Sequence, residues 1–111
     1  METRKLDAAL LDVLEKQGYE NTFMAPLLPA SNEFLVKHFR IESNGTTSSH
    51  DHAHEQLHYI VSGKGLLRTK AGTELLEPGM LLLIQAHDLH GFENPFEEDF
   101  EFLAFFRKPT H

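Results

Sequence analysis

His50-Asp51-His52-Ala53-His54-Glu55-Gln56-Leu57-His58 is the stretch that decides how this chain reads. His50, His52, His54, Gln56 and His58 occupy alternate positions, and alternate positions of an extended chain face one side. They cannot all serve one centre: on a straight strand Gln56 lies roughly 13 Å beyond His52 at about 3.3 Å per residue. A turn through residues 53–55 is therefore required if both ends of the tract are to meet. Neutral imidazoles two residues apart suit Fe, Ni, Cu and Zn, and Mn where oxygen ligands assist. Spacing alone leaves the register open between a set led by His50 and His52 and one led by His52 and His54.

Working outward from the tract, the chain breaks into short extended runs punctuated by turn residues, the pattern of an all-β sandwich or barrel. Residues 34–42 read as a strand closed by a turn at Asn44-Gly45. Residues 57–62, 66–70, 74–77, 80–84 and 100–107 follow, separated by Gly63-Lys64-Gly65, Ala71-Gly72 and Pro78-Gly79. The run Met80-Leu81-Leu82-Leu83-Ile84 is continuously apolar, which predicts burial of both its faces, the outer one under another layer or a partner chain. Glu93, Glu97, Glu98, Asp99 and Glu101 read as a solvated acidic rim. Upstream, Leu6, Leu10, Val13, Leu14 and Gln17 recur at helical spacing with Gly18 as the stop, which predicts a short amphipathic α-helix over residues 5–17. Pro26 and Pro29 then bracket a loop. The expected organisation is an N-terminal helix and loop over residues 1–30 and a single β-barrel domain over residues 31–111.

Composition narrows the function. Ten Lys plus Arg against 17 Asp plus Glu give a formal charge of −7 over 111 residues, which repels phosphate backbones and makes nucleic acid an unsuitable partner. No stretch approaches the roughly 20 apolar residues of a membrane span, and the first residues do not read as a signal peptide, so a cytoplasmic protein is expected. With no cysteine, disulfides, thiolate nucleophiles and thiolate metal sites are excluded, and any metal must use nitrogen and oxygen ligands.

Two blocks resemble the conserved motifs of the cupin superfamily. His50-x-His52-x3-Gln56-x6-Gly63 is similar to the first motif, in which the position of Gln56 is ordinarily Glu. Gly79-x5-Gln85-x-His87-x2-His90-x3-Asn94 is similar to the second, with Gln85 and His87 at its Pro and Gly positions. Gly45 precedes His50 by four residues where the motif has five. A shifted register, His52-x-His54-x3-His58-x6-Gly65, also fits the first motif; the placement of Gly63 and Gly65 after the tract favours the His50 register.

The resemblance implies an antiparallel jelly-roll β-barrel with its site inside the barrel mouth, a fold that hosts many chemistries. It implies His50, His52, Gln56 and His90 as ligands of one divalent transition metal ion, Fe, Mn, Ni, Zn or Cu. The neutral amide in place of a carboxylate leaves the site one unit more positive, which favours an anionic substrate or a developing enolate. His58 shares the parity of Gln56 and is expected to point into the barrel. His38 and Arg40 share one face of their strand and are expected to offer a cation to a carboxylate, and Phe102 or Phe106 to wall the pocket. No catalytic residue is assigned. The expected function is that of a metal-binding cupin acting on a small oxygenated molecule, a carboxylate, keto compound or sugar, as a dioxygenase, isomerase or lyase. Part of the chain is also similar to the ligand-sensing domain of AraC-type regulators, which implies a non-catalytic sensor as the alternative; no helix-turn-helix pattern accompanies it. The apolar residues 80–84 and the phenylalanine-rich end suggest a homodimer.

Overall fold

The structure, a computed structural model, describes residues 1, 3–28 and 33–107. Three strands form its backbone: β3 (Phe34–Thr46), β4 (Gln56–Ser62) and β9 (Phe100–Arg107). β9 lies between the other two, antiparallel to both, with Phe39 opposite Phe102 and Ile60 opposite the same residue on the far side. Alternation then divides the side chains. Ile60, His58 and Gln56 of β4 and Phe100, Phe102 and Ala104 of β9 turn inward and are buried, whereas Leu57, Tyr59 and Phe105 turn out.

The sheet extends through β7 (Leu81–Ile84) beside β4 and β2 (Glu20–Pro26) beside β3, with β1 (Asp12–Val13) on the edge of β2. It curls back through β8 (His90–Glu93), β5 (Gly65–Thr69) and β6 (Gly72–Leu76), in the order β6-β5-β8-β3-β9-β4-β7. The long β3 is what lets one sheet close into a barrel: its first part pairs with β2 and β9, and its last residue, Thr46, pairs with Glu93 of β8. Arg68 of β5 reinforces that junction by donating to the Thr46 hydroxyl and to the carbonyls of Thr47 and Phe92.

One end of the barrel is packed and the other is open. Ile41, Ile60, Leu67, Leu76, Ile84, Phe92, Phe100 and Phe102 form the core. Two glycines let the chain close around it. At Gly63 φ is +70° and a Cβ would stand 1.9 Å from the Asp99 carbonyl oxygen, while at Gly65 it would stand 2.4 Å from the Phe100 ring. Moving along β4 from Ile60 to His58 to Gln56, the inward column passes from this core to the mouth.

The all-β jelly-roll architecture agrees with the sequence reading, and four local expectations do not. Residues 5–17 form no α-helix: Asp7 caps a single 3-10 turn, Ala8–Leu10, after which the chain extends into β1. The helical stripe has nothing to bury against, since Leu10 and Val13 are exposed, and a helix this short is marginal without tertiary burial. Pairing of Asp12 with Met24 and Val13 with Phe23 wins instead. Gly18, at φ +84°, serves the turn between β1 and β2. Second, the segment between residue 18 and the loop that starts at Pro26, where no strand was expected, forms β2; residues 27–28 bend as that loop requires, and Pro29 lies outside the described residues. Third, Asn44-Gly45 is not a turn: β3 runs through it to Thr46, with Asn44 at φ +66° and a register shift against β2. Fourth, β7 is not covered on both faces, since Ile84 is buried while Leu81 and Leu83 are 66% and 50% exposed.

Candidate metal centre

The His-rich tract leaves the sheet immediately after β3 and re-enters it at Gln56. Residues 51–55 are irregular, so the required turn through 53–55 is present. His50 is tied to His90 by a two-hydrogen-bond bridge, His50 N–H to His90 O at 2.9 Å and His90 N–H to His50 O at 3.0 Å. A third backbone bond, from His87 N–H to the His52 carbonyl at 2.7 Å, docks the tract against the loop before β8. His87 holds that loop at φ +67°, a left-handed conformation at the position where the second motif has glycine.

These links bring three imidazoles together. The potential ligand nitrogens of His50, His52 and His90 all lie within 4.8 Å of one another. Two of the rings are fixed in tautomer as well as place. His50 Nδ1 lies 3.0 Å from the Ser48 carbonyl oxygen and His90 Nδ1 2.8 Å from that of Asp88. A carbonyl only accepts, so both Nδ1 atoms carry the proton and donate, and both Nε2 atoms present a free lone pair. Burial lowers the basicity of His52 and His90; His50 and His90 lower that of His52 further, and at His90 the Asp88 carbonyl opposes the shift while His50 adds to it. Neutral imidazoles with converging lone pairs fit a first-row divalent ion.

Beside the triad, Gln56 and His58 are buried on the inward face of β4. The His58 Nε2 and Gln56 Oε1 atoms are 3.0 Å apart, with the ring donating to the amide oxygen, which keeps a second lone pair. His58 is sandwiched between Phe92 and Phe102, with centroids at 5.3 and 5.2 Å and near-parallel planes. Burial first, and then the three neighbouring histidines, push its pKa down to about 3. It is a neutral, aromatic-stacked donor whose Nδ1 has no partner among the described residues.

Above these groups opens a cavity of about 370 Å³. The three histidines, Gln56 and His58 form its floor, and Phe39, Phe92, Phe102 and Phe106 its aromatic walls. Leu14, Lys16, Gln17 and Tyr19, in and around the β1–β2 turn, form a further side. That turn is pressed close to the histidine loop, because a Cβ on Gly18 would stand 2.7 Å from Ser48 Cβ.

Of the residues singled out from sequence, His50, His52, Gln56, His58, His90, Phe102 and Phe106 meet in this cavity. His54 is exposed and outside the triad, so the structure does not assemble the register of His52, His54 and His58. His38 and Arg40 are not brought to the cavity, a correction to the expectation that they line it. They lie on the face of β3 opposite the cavity, where the buried His38 places Nε2 2.7 Å from Glu101 Oε1 and Arg40 lies over the Phe23 ring and pairs with Glu42. The opposite column of β3, Lys37 and Phe39, lines the cavity. The overlooked signal is apolar count: Leu35, Phe39 and Ile41 share the parity of Lys37, and Ile41 is wholly buried.

A cupin-domain family profile matches residues 37–106, which spans β3 to β9 and every member of the triad. This chain belongs to the cupin family. Solved structures agree on the fold. The polyketide cyclase RemF from Streptomyces resistomycificus superimposes with a TM-score of 0.85 at 24% identity, over 98% of this chain and 83% of the other. A cupin 2 conserved barrel domain protein from Salinispora arenicola gives 0.79 at 20% identity, over 97% and 89%. A predicted oxalate decarboxylase from Thermotoga maritima gives 0.72 at 24% identity, over 79% and 81%. Comparison with curated proteins finds no match.

Proposed function

We propose that this cupin holds one divalent transition metal ion through His50, His52 and His90, with the Gln56 amide oxygen as fourth ligand, and acts on a small oxygenated molecule as a dioxygenase, isomerase or lyase. The observation that carries the reading is the pair of Nδ1-to-carbonyl bonds at His50 and His90, which aim two lone pairs at the space His52 also faces. A nitrogen-rich set with one amide oxygen suits Fe, Mn, Ni, Zn or Cu. The chemistry such an ion supplies is Lewis-acid polarisation of an oxygen function or, where redox-active, electron transfer to an oxidant.

The protein's own contribution is position and environment. His58 fixes the Gln56 amide by donating to Oε1, and the aromatic stack on both faces of His58 fixes the ring in turn. Phe39, Phe92, Phe102 and Phe106 exclude water from a bound molecule and so strengthen its polar contacts with the floor. Ligand binding without turnover is the second reading, and one observation favours it: among the described residues no Asp or Glu lines the cavity as a carboxylate base. Reconstitution with each of the five ions and a screen of small carboxylates, keto acids and keto sugars, with and without oxygen, separates the two. Turnover that requires the ion supports the enzyme, and saturable binding without turnover supports the sensor.

We also propose a homodimer through the outer face of β4, β7 and β9. Leu57 lies between Leu83 and Phe105, and Tyr59 beside Leu81, so their exposed side chains form one continuous patch. It leaves on the order of 500 Å² of apolar surface open, as large as the biggest patches on monomers and most of the ~800 Å² per partner in a standard interface. A second copy presents the same apolar face, which makes the patch self-complementary.

A further inference from the structure

Lys37 and Lys16 are the charged side chains of the cavity that belong to neither the triad nor its neighbours. The chain carries 17 Asp and Glu and a net charge of −7, yet among the described residues no acid lines the cavity. Neither lysine has a carboxylate partner among the described residues. What they touch is aromatic: Lys37 Nζ sits 5.1 Å from the Phe106 centroid and Lys16 Nζ 5.9 Å from that of Tyr19. A half-buried ammonium facing an apolar-walled space with no counter-charge is a costly arrangement unless something from outside completes it.

From this geometry we infer that the cavity binds a small anion with an apolar body, its carboxylate or enolate oxygen held by Lys37 with Lys16 assisting, and its apolar body against Phe39, Phe102 and Phe106. The inference rests on the reading of the cavity as the ligand site and names the ligand's class. Phe39 stacks on Phe102 at 5.1 Å with planes 13° apart, and Phe102 stacks on His58, so the wall beside Lys37 is a fixed aromatic row. Lys37 stands on β3 directly opposite Ala104, a small residue that leaves room beside it. Burial lowers the pKa of Lys37, and Lys16 lowers it further, so an anion between them relieves both effects. Lys37 and the three histidines line the same cavity, so the anion subsite opens onto the triad. One molecule can thus be held by its anionic end at the mouth while its other end reaches the floor.

The test uses 2-naphthoate and its neutral match 2-naphthamide, titrated by calorimetry into protein stripped with a chelator and into protein loaded with Zn(II). In the stripped protein the carboxylate is expected to bind about 10- to 100-fold more tightly than the amide, the range of a charge-assisted contact. Lys37→Met is expected to abolish that preference, Lys37→Arg to restore most of it, and Lys16→Met to reduce it in part. Equal affinities for the two probes in the stripped protein, no detectable carboxylate binding at millimolar concentration, or a preference that survives Lys37→Met would each overturn the inference. A preference that appears only with Zn(II) assigns the anion to the metal and overturns it as well. Failure of the metal reading shows separately, as absence of Zn(II) uptake with the carboxylate preference intact.

Discussion

His58 shows how much one residue's surroundings fix. Its unfolded pKa is near 6.5, and in the fold it refuses a proton until about pH 3. Between those values the unfolded chain binds a proton that the native chain does not, so stability present above pH 6.5 is lost as pH falls toward 3. His52 and His90 are shifted in the same direction and add to the loss. Urea unfolding of the stripped protein from pH 7 to pH 4 should show it, with a slope approaching about 1.4 kcal/mol per pH unit from His58. His58→Phe keeps the stack between Phe92 and Phe102 and should give a shallower acid limb. The same variant frees the Gln56 amide, and Zn(II) affinity measured by chelator competition should fall about 10- to 100-fold, the usual consequence of removing a group that orients a ligand. Unchanged affinity would show that Gln56 does not ligate. At this scale the sequence was legible where two motifs constrained it: His50, His52, Gln56 and His90 meet on one floor. It misled where a residue was chosen for its chemistry before its parity, as with His38 and Arg40, which sit on the outer column of β3.

The strands were legible in proportion to how strongly local pattern agrees with tertiary burial. β9 coincides with its expected bounds because Phe100, Phe102 and Ala104 alternate with exposed or half-buried residues and each inward position is filled. β1 and β2 were not legible. β1 pairs with β2 and β2 with β3, while the apolar residues in and before β1 happen to recur at helical spacing. No local signal distinguishes a helical stripe that finds a surface from one that does not, and here Leu10 and Val13 find none. Phe102 is the element-scale keystone, touching the rings of Phe39, Phe92, Phe100 and His58. Phe102→Ala should cost about 3–5 kcal/mol in urea unfolding at neutral pH, the range for deleting a buried aromatic ring. A loss below about 1 kcal/mol would mean that the core does not depend on this stack.

For the molecule as a whole, the apolar run that includes β7 was expected to be buried on both faces, and the chain covers it on one only. Leu81 and Leu83 lie on the open side with Leu57, Tyr59 and Phe105. Sedimentation equilibrium at micromolar concentration should show a dimer, and Leu83→Glu, which places a charge at the centre of the patch, should give a folded monomer. A parent that sediments as a monomer would contradict the assignment of this face. The described residues include no helix long and apolar enough to cross a membrane.

The central claim is that the barrel mouth holds a metal ion on His50, His52 and His90. Its most direct measurement is elemental analysis of protein purified without an affinity tag or chelator, together with His50→Ala, His90→Ala and His54→Ala. The account predicts close to one transition-metal ion per chain in the parent and in His54→Ala, and essentially none in the other two variants. Folded parent protein that is empty and takes up none of Fe, Mn, Ni, Zn or Cu, or metal that disappears with His54 and survives loss of His50, would contradict it.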